Sequence, residues 1–435
     1  MHRFSKPAAL LALLALLLTF SGCYSGNIDQ YFSLPQPSEE YRQLQALIDK
    51  EIASGSEYAA PTRGNFRQSV QFSDINGDGT DEALAFFRGQ NSLLKINIYA
   101  PASGEYRLVL TLQEEGRSIG SVALADMDRD GARDLIVAWQ IASGMSILSV
   151  YSLENWSGQL LMSTDCTEFV TGDLDQDGYD ELLVIRAANA GTYLVDMYTL
   201  GTDGEPQAAT AALSAGINQL SRSGTVQIGG GQTALLVESF LAGGDLVTDL
   251  LVWRDSALVN LTMNRSTGVS ETRRSNDHIF SQDIDGDGAV EVPHSQQLYN
   301  QGNDLHWSTA WFRYDISGRA TQVMTTYHDV SDGWYLVLPN GWDVGLTVRR
   351  DDSVPGERAV ILSRLGSDGN INDLLAIYAT GGENRSDRAR LPGRFVLEES
   401  SSTVFSARVF GDSIDRNGVE SRFHIIYAEW GSGSV

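Results

Sequence analysis

Four stretches of this chain place short oxygen-bearing side chains at alternate positions of a nine-residue turn. They are Asp74–Glu82 (DINGDGTDE), Asp126–Asp134 (DMDRDGARD), Asp173–Glu181 (DLDQDGYDE) and Asp283–Glu291 (DIDGDGAVE). Positions 1, 3, 5 and 9 are Asp74, Asn76, Asp78 and Glu82 in the first, Asp126, Asp128, Asp130 and Asp134 in the second, Asp173, Asp175, Asp177 and Glu181 in the third, and Asp283, Asp285, Asp287 and Glu291 in the fourth. Gly holds position 6 throughout. Alternate carboxylates on a tightly turning backbone converge on one hard cation, position 7 can add its carbonyl, and Gly permits the turn. Ca²⁺ takes roughly six to eight such oxygens, so the expected cofactor is Ca²⁺. One acidic turn alone is as readily a solvated hairpin, but four in one register read as metal loops.

An EF-hand opens in the same way but requires a bidentate Glu at position 12 and a helix on either side. Here position 12 is Ala85, Val137, Val184 and His294. The residues after the first three loops, Ala83–Phe87, Leu135–Trp139 and Leu182–Ile185, are short apolar runs rich in β-branched and aromatic types, which predict buried strands. The loops therefore join β-strands.

The loops begin at 74, 126, 173 and 283, with gaps of 52, 47 and 110, the last close to two units. A tyrosine follows the first three loop starts at constant spacing (Tyr99, Tyr151, Tyr198), and a Gly-containing hairpin turn follows each tyrosine at Ser103-Gly104, Ser157-Gly158 and Asp203-Gly204. Tyr314 and Ser317-Gly318 are the counterparts in the last full unit. Trp253 and Thr267-Gly268 mark a unit inside the long gap, whose loop position falls on Ile228-Gly229-Gly230-Gly231 and has lost its acids. A unit of this length holds about four short strands and cannot bury both faces alone, so copies must stack, as in a β-propeller. The pattern D-x-[DN]-x-[DN]-G-x-x-[DE] resembles the calcium loop of FG-GAP (VCBS) repeats, the integrin α-subunit type of propeller, over roughly residues 68–329. The Phe-Gly and Gly-Ala-Pro signatures of that family are absent. The resemblance implies a calcium-stabilised propeller that recognises ligands outside the cell.

The expected fold is mainly β, a propeller of four-stranded blades with five clear units over residues 66–334, preceded by a short helix and lead-in at 38–65. Ser38 can cap that helix, Glu39 and Glu40 favour its start, and Tyr41, Leu44, Leu47, Ile48 and Ile52 form its apolar stripe. Beyond Asp329 the loop, tyrosine and hairpin registers fade together. Residues 335–435 read either as a small α+β domain, the favoured division, or as degenerate blades that bring the count to seven. Ser413–Gly418 resembles the metal loop but has Ser at positions 1 and 9.

Met1–Lys6 is a basic leader, Ala8–Phe20 an apolar run, and Ser21-Gly22-Cys23 closes it. This junction is similar to the lipobox of bacterial lipoproteins, apart from Phe20 where Leu is usual. The resemblance implies a signal peptide over 1–22, diacylation of Cys23, a tether over 23–37, and a cell-envelope protein held to the membrane by lipid. Cys166 then lacks an intrachain partner, and its neighbours supply no activating base, which predicts a buried structural thiol. Net charge is −25 for the whole chain and −27 beyond residue 22, which repels nucleic acid.

No nucleophile, base and orienter pattern and no phosphate-cradling loop is present. His328-Asp329 is the nearest acid/base pair, and Trp307, Trp311, Trp334 and Trp342 cluster late, where tryptophans could stack on sugars or fill a core. The leading function is a surface-anchored binding or scaffold module for protein or glycan ligands. A secreted polysaccharide hydrolase or lyase, and an envelope assembly factor, are the alternatives.

Overall fold

In a computed structural model, residues 39–189, 191–200, 206–275, 279–299 and 305–426 are described. Cys23, the leader, the tether and Ser38 lie outside them. Strands flank the first three loops and follow the fourth, and the chain is mainly β. Among the described residues it builds six antiparallel sheets of four or five strands, taken up in chain order, and one two-stranded hairpin.

Sheet I holds Glu57–Tyr58, Val70–Ser73, Glu82–Arg88, Leu94–Ala102 and Glu105–Glu114. Sheets II and III are four-stranded meanders over Ser118–Cys166 and Glu168–Ala212. Sheet IV runs over Ile217–Asn260, so the unit that lost its acids kept its strands. Sheet V comprises Glu291–Gln297, Trp307–Tyr314, Ala320–Asp329, Trp334–Val337 and, from the far end of the chain, Phe423–Ile425. Sheet VI contains Leu346–Asp351, Glu357–Leu365, Ile371–Gly381, Phe395–Glu399 and Thr403–Val409. The division at 334/335 thus crosses the strand Trp334–Val337, whose Trp334 pairs with Ile425.

In sheets I to III the strand that follows the loop is the most deeply placed. Glu82–Phe87 and Asp134–Trp139 are buried at every residue, so they read as continuous apolar runs rather than alternating ones. Successive sheets share cores. Phe86, Ile96, Val137 and Trp139 join I to II, Val150, Cys166 and Val184 join II to III, and Ile185, Val195, Val237 and Leu251 join III to IV. Ile228, Leu250, Val292 and Tyr314 join IV to V, and Trp334, Leu336, Leu362 and Phe405 join V to VI.

Helix α1 (Glu39–Ala53) ends before Gly55 (φ +96°) and buries Leu44 and Ile48 against Ala83, Ala85, Phe87 and Tyr99 on the free face of sheet I. Two further helices, α2 (Arg385–Ala389) and α3 (Arg416–Glu420), are single turns. No described helix is long and apolar enough to cross a membrane.

One turn differs from expectation. The third and fourth strands of sheet IV are joined by Asp255-Ser256, both with positive φ, whereas Thr267-Gly268 closes the separate hairpin of Met263–Asn264 and Val269–Ser270. A two-residue turn of this kind needs left-handed backbone, which Asp-Ser here supplies without glycine.

Candidate metal centres

All four acidic loops run directly into the strand that their position-9 acid begins, and share one hydrogen-bond scheme. The position-6 amide donates to the position-1 carboxylate at 3.0, 3.1, 3.0 and 2.8 Å in chain order. Position 5 donates to the position-3 oxygen at 2.9, 3.2, 3.0 and 3.3 Å, and position 7 to the position-5 carboxylate at 2.8, 2.7, 3.0 and 3.0 Å. The position-6 glycines have φ of +86° to +93°, and position 4 is also left-handed, at Gly77, Arg129, Gln176 and Gly286.

The position-9 acids Glu82, Asp134, Glu181 and Glu291 begin the strands that follow the loops and are fully buried. One oxygen of each accepts from the position-2 amide, at 2.9, 2.9, 2.8 and 3.1 Å. The fate of the other oxygen separates the loops. In the second and third loops it has no partner, since Asp134 Oδ1 and Glu181 Oε1, together with Asp126 Oδ1, are buried and unbonded. Burial pushes the carboxyls of Asp134 and Glu181 up to about 7. In the first loop, Glu82 Oε1 accepts from Asn76 Nδ2 at 3.3 Å. In the fourth, Glu291 Oε1 accepts from Arg313 Nε at 2.8 Å.

Carboxylate oxygens meet within 4.8 Å in three loops: Asp173, Asp175, Asp177 and Glu181; Asp126, Asp128 and Asp134; and Asp283, Asp285 and Glu291. Convergent, buried, unbonded carboxylate oxygens fit a hard divalent cation, which would repay their desolvation. Asp74, Asn76 and Asp78 hold the same loop geometry, with the Asn76 amide lying between Asp78 and Glu82.

Neighbouring loops touch. Arg133 N donates to Ile75 O at 3.4 Å, Arg129 pairs with Asp177 at 2.6 Å, Gln176 Nε2 donates to Gly231 O at 2.9 Å, and Val290 N to Gln227 O at 2.8 Å. A cleft of about 600 Å³ opens beside the third loop, lined by Arg129, Asp175, Thr199, Gln207 and Trp253.

The other candidates resolve into structure. Trp311, Trp334 and Trp342 are buried, so they fill cores rather than present faces to sugars. His328 and Asp329 are strand neighbours that point to opposite faces. His328 Nε2 lies 2.7 Å from Thr326 Oγ1, and Asp329 accepts from Arg350 at 2.6 Å. Cys166 is buried and free, with its thiol pushed up to about 12 by burial. Asp415 caps α3 by accepting from Gly418 N at 2.8 Å, so Ser413–Gly418 is a helix start.

No family profile matches the sequence, and no curated protein does. Among solved structures, a candidate 6-phosphogluconolactonase from Bacteroides uniformis is similar at TM-score 0.32 and 12% identity, covering 73% of this chain and 94% of that one. The WD40 domain of SCAP from fission yeast is similar at TM-score 0.26 and 10% identity, over 76% and 69%. Likenesses this weak establish no common function.

Proposed function

We propose that this chain is a calcium-stabilised β-propeller of the FG-GAP type that works as an extracytoplasmic binding or scaffold module, tethered to a bacterial membrane through lipidated Cys23. The observation that carries the calcium reading is the set of buried, unbonded oxygens on Asp126, Asp134 and Glu181, at the centre of loops built to one hydrogen-bond plan. Buried acids without partners are costly, and a cation removes the cost.

The ring reading rests on the sharing of cores by consecutive sheets and on burial at both ends of the series. In sheet VI, Leu362 and Ile377 face sheet V, while Ala359, Ser363, Ala376 and Ser406 on the other face are buried too. A binding role agrees with the cleft beside the third loop, where an aromatic ring and hydrogen-bonding side chains share a concave surface.

Extracellular calcium modules bind in the roughly 10⁻⁴ to 10⁻³ M range, which is the affinity expected of these loops. At ten times the dissociation constant, each site adds about 1.4 kcal/mol to the native state. Calorimetric titration with CaCl₂ and melting with and without EDTA provide the test. A melting temperature that rises with calcium and falls with chelation is expected, and an unmoved melting curve would sink the calcium reading.

A further inference from the structure

The fourth loop matches the metal pattern most cleanly in sequence, yet in structure a side-chain cation already lies among its acids. The guanidinium of Arg313 lies among its acids and uses all three nitrogens. Nη2 is 2.7 Å from Asp285 Oδ2, Nη1 is 2.8 Å from Asp287 Oδ2, and Nε is 2.8 Å from Glu291 Oε1. A planar cation with a donor aimed at each of three carboxylates satisfies the oxygens that a metal would otherwise bind.

The register shows why this happens in sheet V and not in sheets I to III. In sheet V, Glu291 stands directly across from Arg313. In sheets I to III, Ala83 pairs with Tyr99, Leu135 with Tyr151 and Leu182 with Tyr198, so one step along the ladder the position-9 acids face Ala100, Ser152 and Thr199. Those residues carry no charge, and in sheets II and III the acids' second oxygens are unbonded.

Sheet VI repeats the device independently. Glu357 begins the strand Glu357–Leu365, as each position-9 acid begins a strand, and is 6% exposed. Arg394 grips it in a fork at 2.9 and 2.9 Å, with Arg388 at 3.5 Å.

We propose that Arg313 is the resident cation of the fourth loop, so that this loop closes without metal and the chain takes up three calcium ions rather than four. The inference rests on the calcium reading of the other three loops.

The test is ion counting by calorimetry and native mass spectrometry on the full chain with CaCl₂. The parent chain should bind three ions, Arg313→Gln four, and Arg313→Lys three. Asp287→Asn should leave the count at three while Asp177→Asn lowers it to two, which decides the matter even where Arg313→Gln fails to fold. Four ions in the parent, with one lost in Asp287→Asn, would overturn the role of Arg313 and leave the calcium reading standing. No ions in the parent or in Arg313→Gln would overturn both.

Discussion

Asp134 and Glu181 combine full burial with an unbonded oxygen, and that combination gives them opposite effects with and without metal. In the chelated protein their folded carboxyls titrate near 7, well above the usual carboxylate range. The folded state therefore holds these protons more tightly than the unfolded chain does. Their contribution to stability is complete below about pH 4 and is lost as pH rises through about 7. Chelated protein is expected to melt at a lower temperature at pH 8 than at pH 5.5, and saturating calcium, which binds the ionised form, should shrink or reverse that difference. Differential scanning calorimetry at the two pH values checks it. Asp134→Asn and Glu181→Gln should each remove one ion, yet in EDTA they should melt no lower than the parent, because a neutral amide costs less to bury than a carboxylate. Melts in EDTA and in calcium, run side by side, test both halves of that statement.

The loop is a short element whose shape is set by two left-handed residues and one strand start. Gly178 has φ +93°, and an added Cβ would meet nothing within 4 Å, so Gly178→Ala isolates the backbone term. It is expected to cost about 1–2 kcal/mol in urea unfolding, with the fold retained. In sheet VI the same strand start is held by arginine. Arg394→Ala strips the fork from buried Glu357 and should cost about 3–5 kcal/mol, most of it recovered in the Arg394→Ala, Glu357→Gln double variant. Both loop and strand start were legible in the sequence because acid spacing and apolar runs are local signals. The hand of Arg313 was not, since its meeting with Glu291 is a cross-strand register between residues 22 positions apart. Asp255-Ser256 was missed for a related reason, as its left-handed turn carries no glycine to announce it.

At the scale of the whole molecule, the unit length and the hidden fourth unit could be read from the chain, and sheet IV stands where Ile228–Gly231 and Trp253 placed it. The C-terminal region was harder, because the acid that begins its strand Glu357–Leu365 is held by arginines from a later segment and Phe423–Ile425 returns to sheet V. If the six sheets close into a ring, small-angle scattering should give a radius of gyration of about 22 Å for a chain of this length. Closure would bring sheets I and VI together, whereas an open row of six sheets about 10 Å apart would leave them roughly 50 Å apart, a distance that spin labels on the two sheets report.

The cations that close the strand starts are not spread evenly along the chain. Among the described residues no guanidinium reaches the acid that begins the strand after the loop in sheets I to III, sheet IV has a three-glycine turn, and in sheets V and VI arginines bind the corresponding acids. Under mechanical load the molecule should therefore behave as two springs in series, of which only the N-terminal one is stiffened by calcium. Held in an optical trap with EDTA present, the N-terminal sheets should yield at lower force than with calcium. Each event should release a length close to one unit, which for Ser118–Cys166 is roughly 160–175 Å of extended chain. The force at which the C-terminal sheets give way should be the same in either buffer.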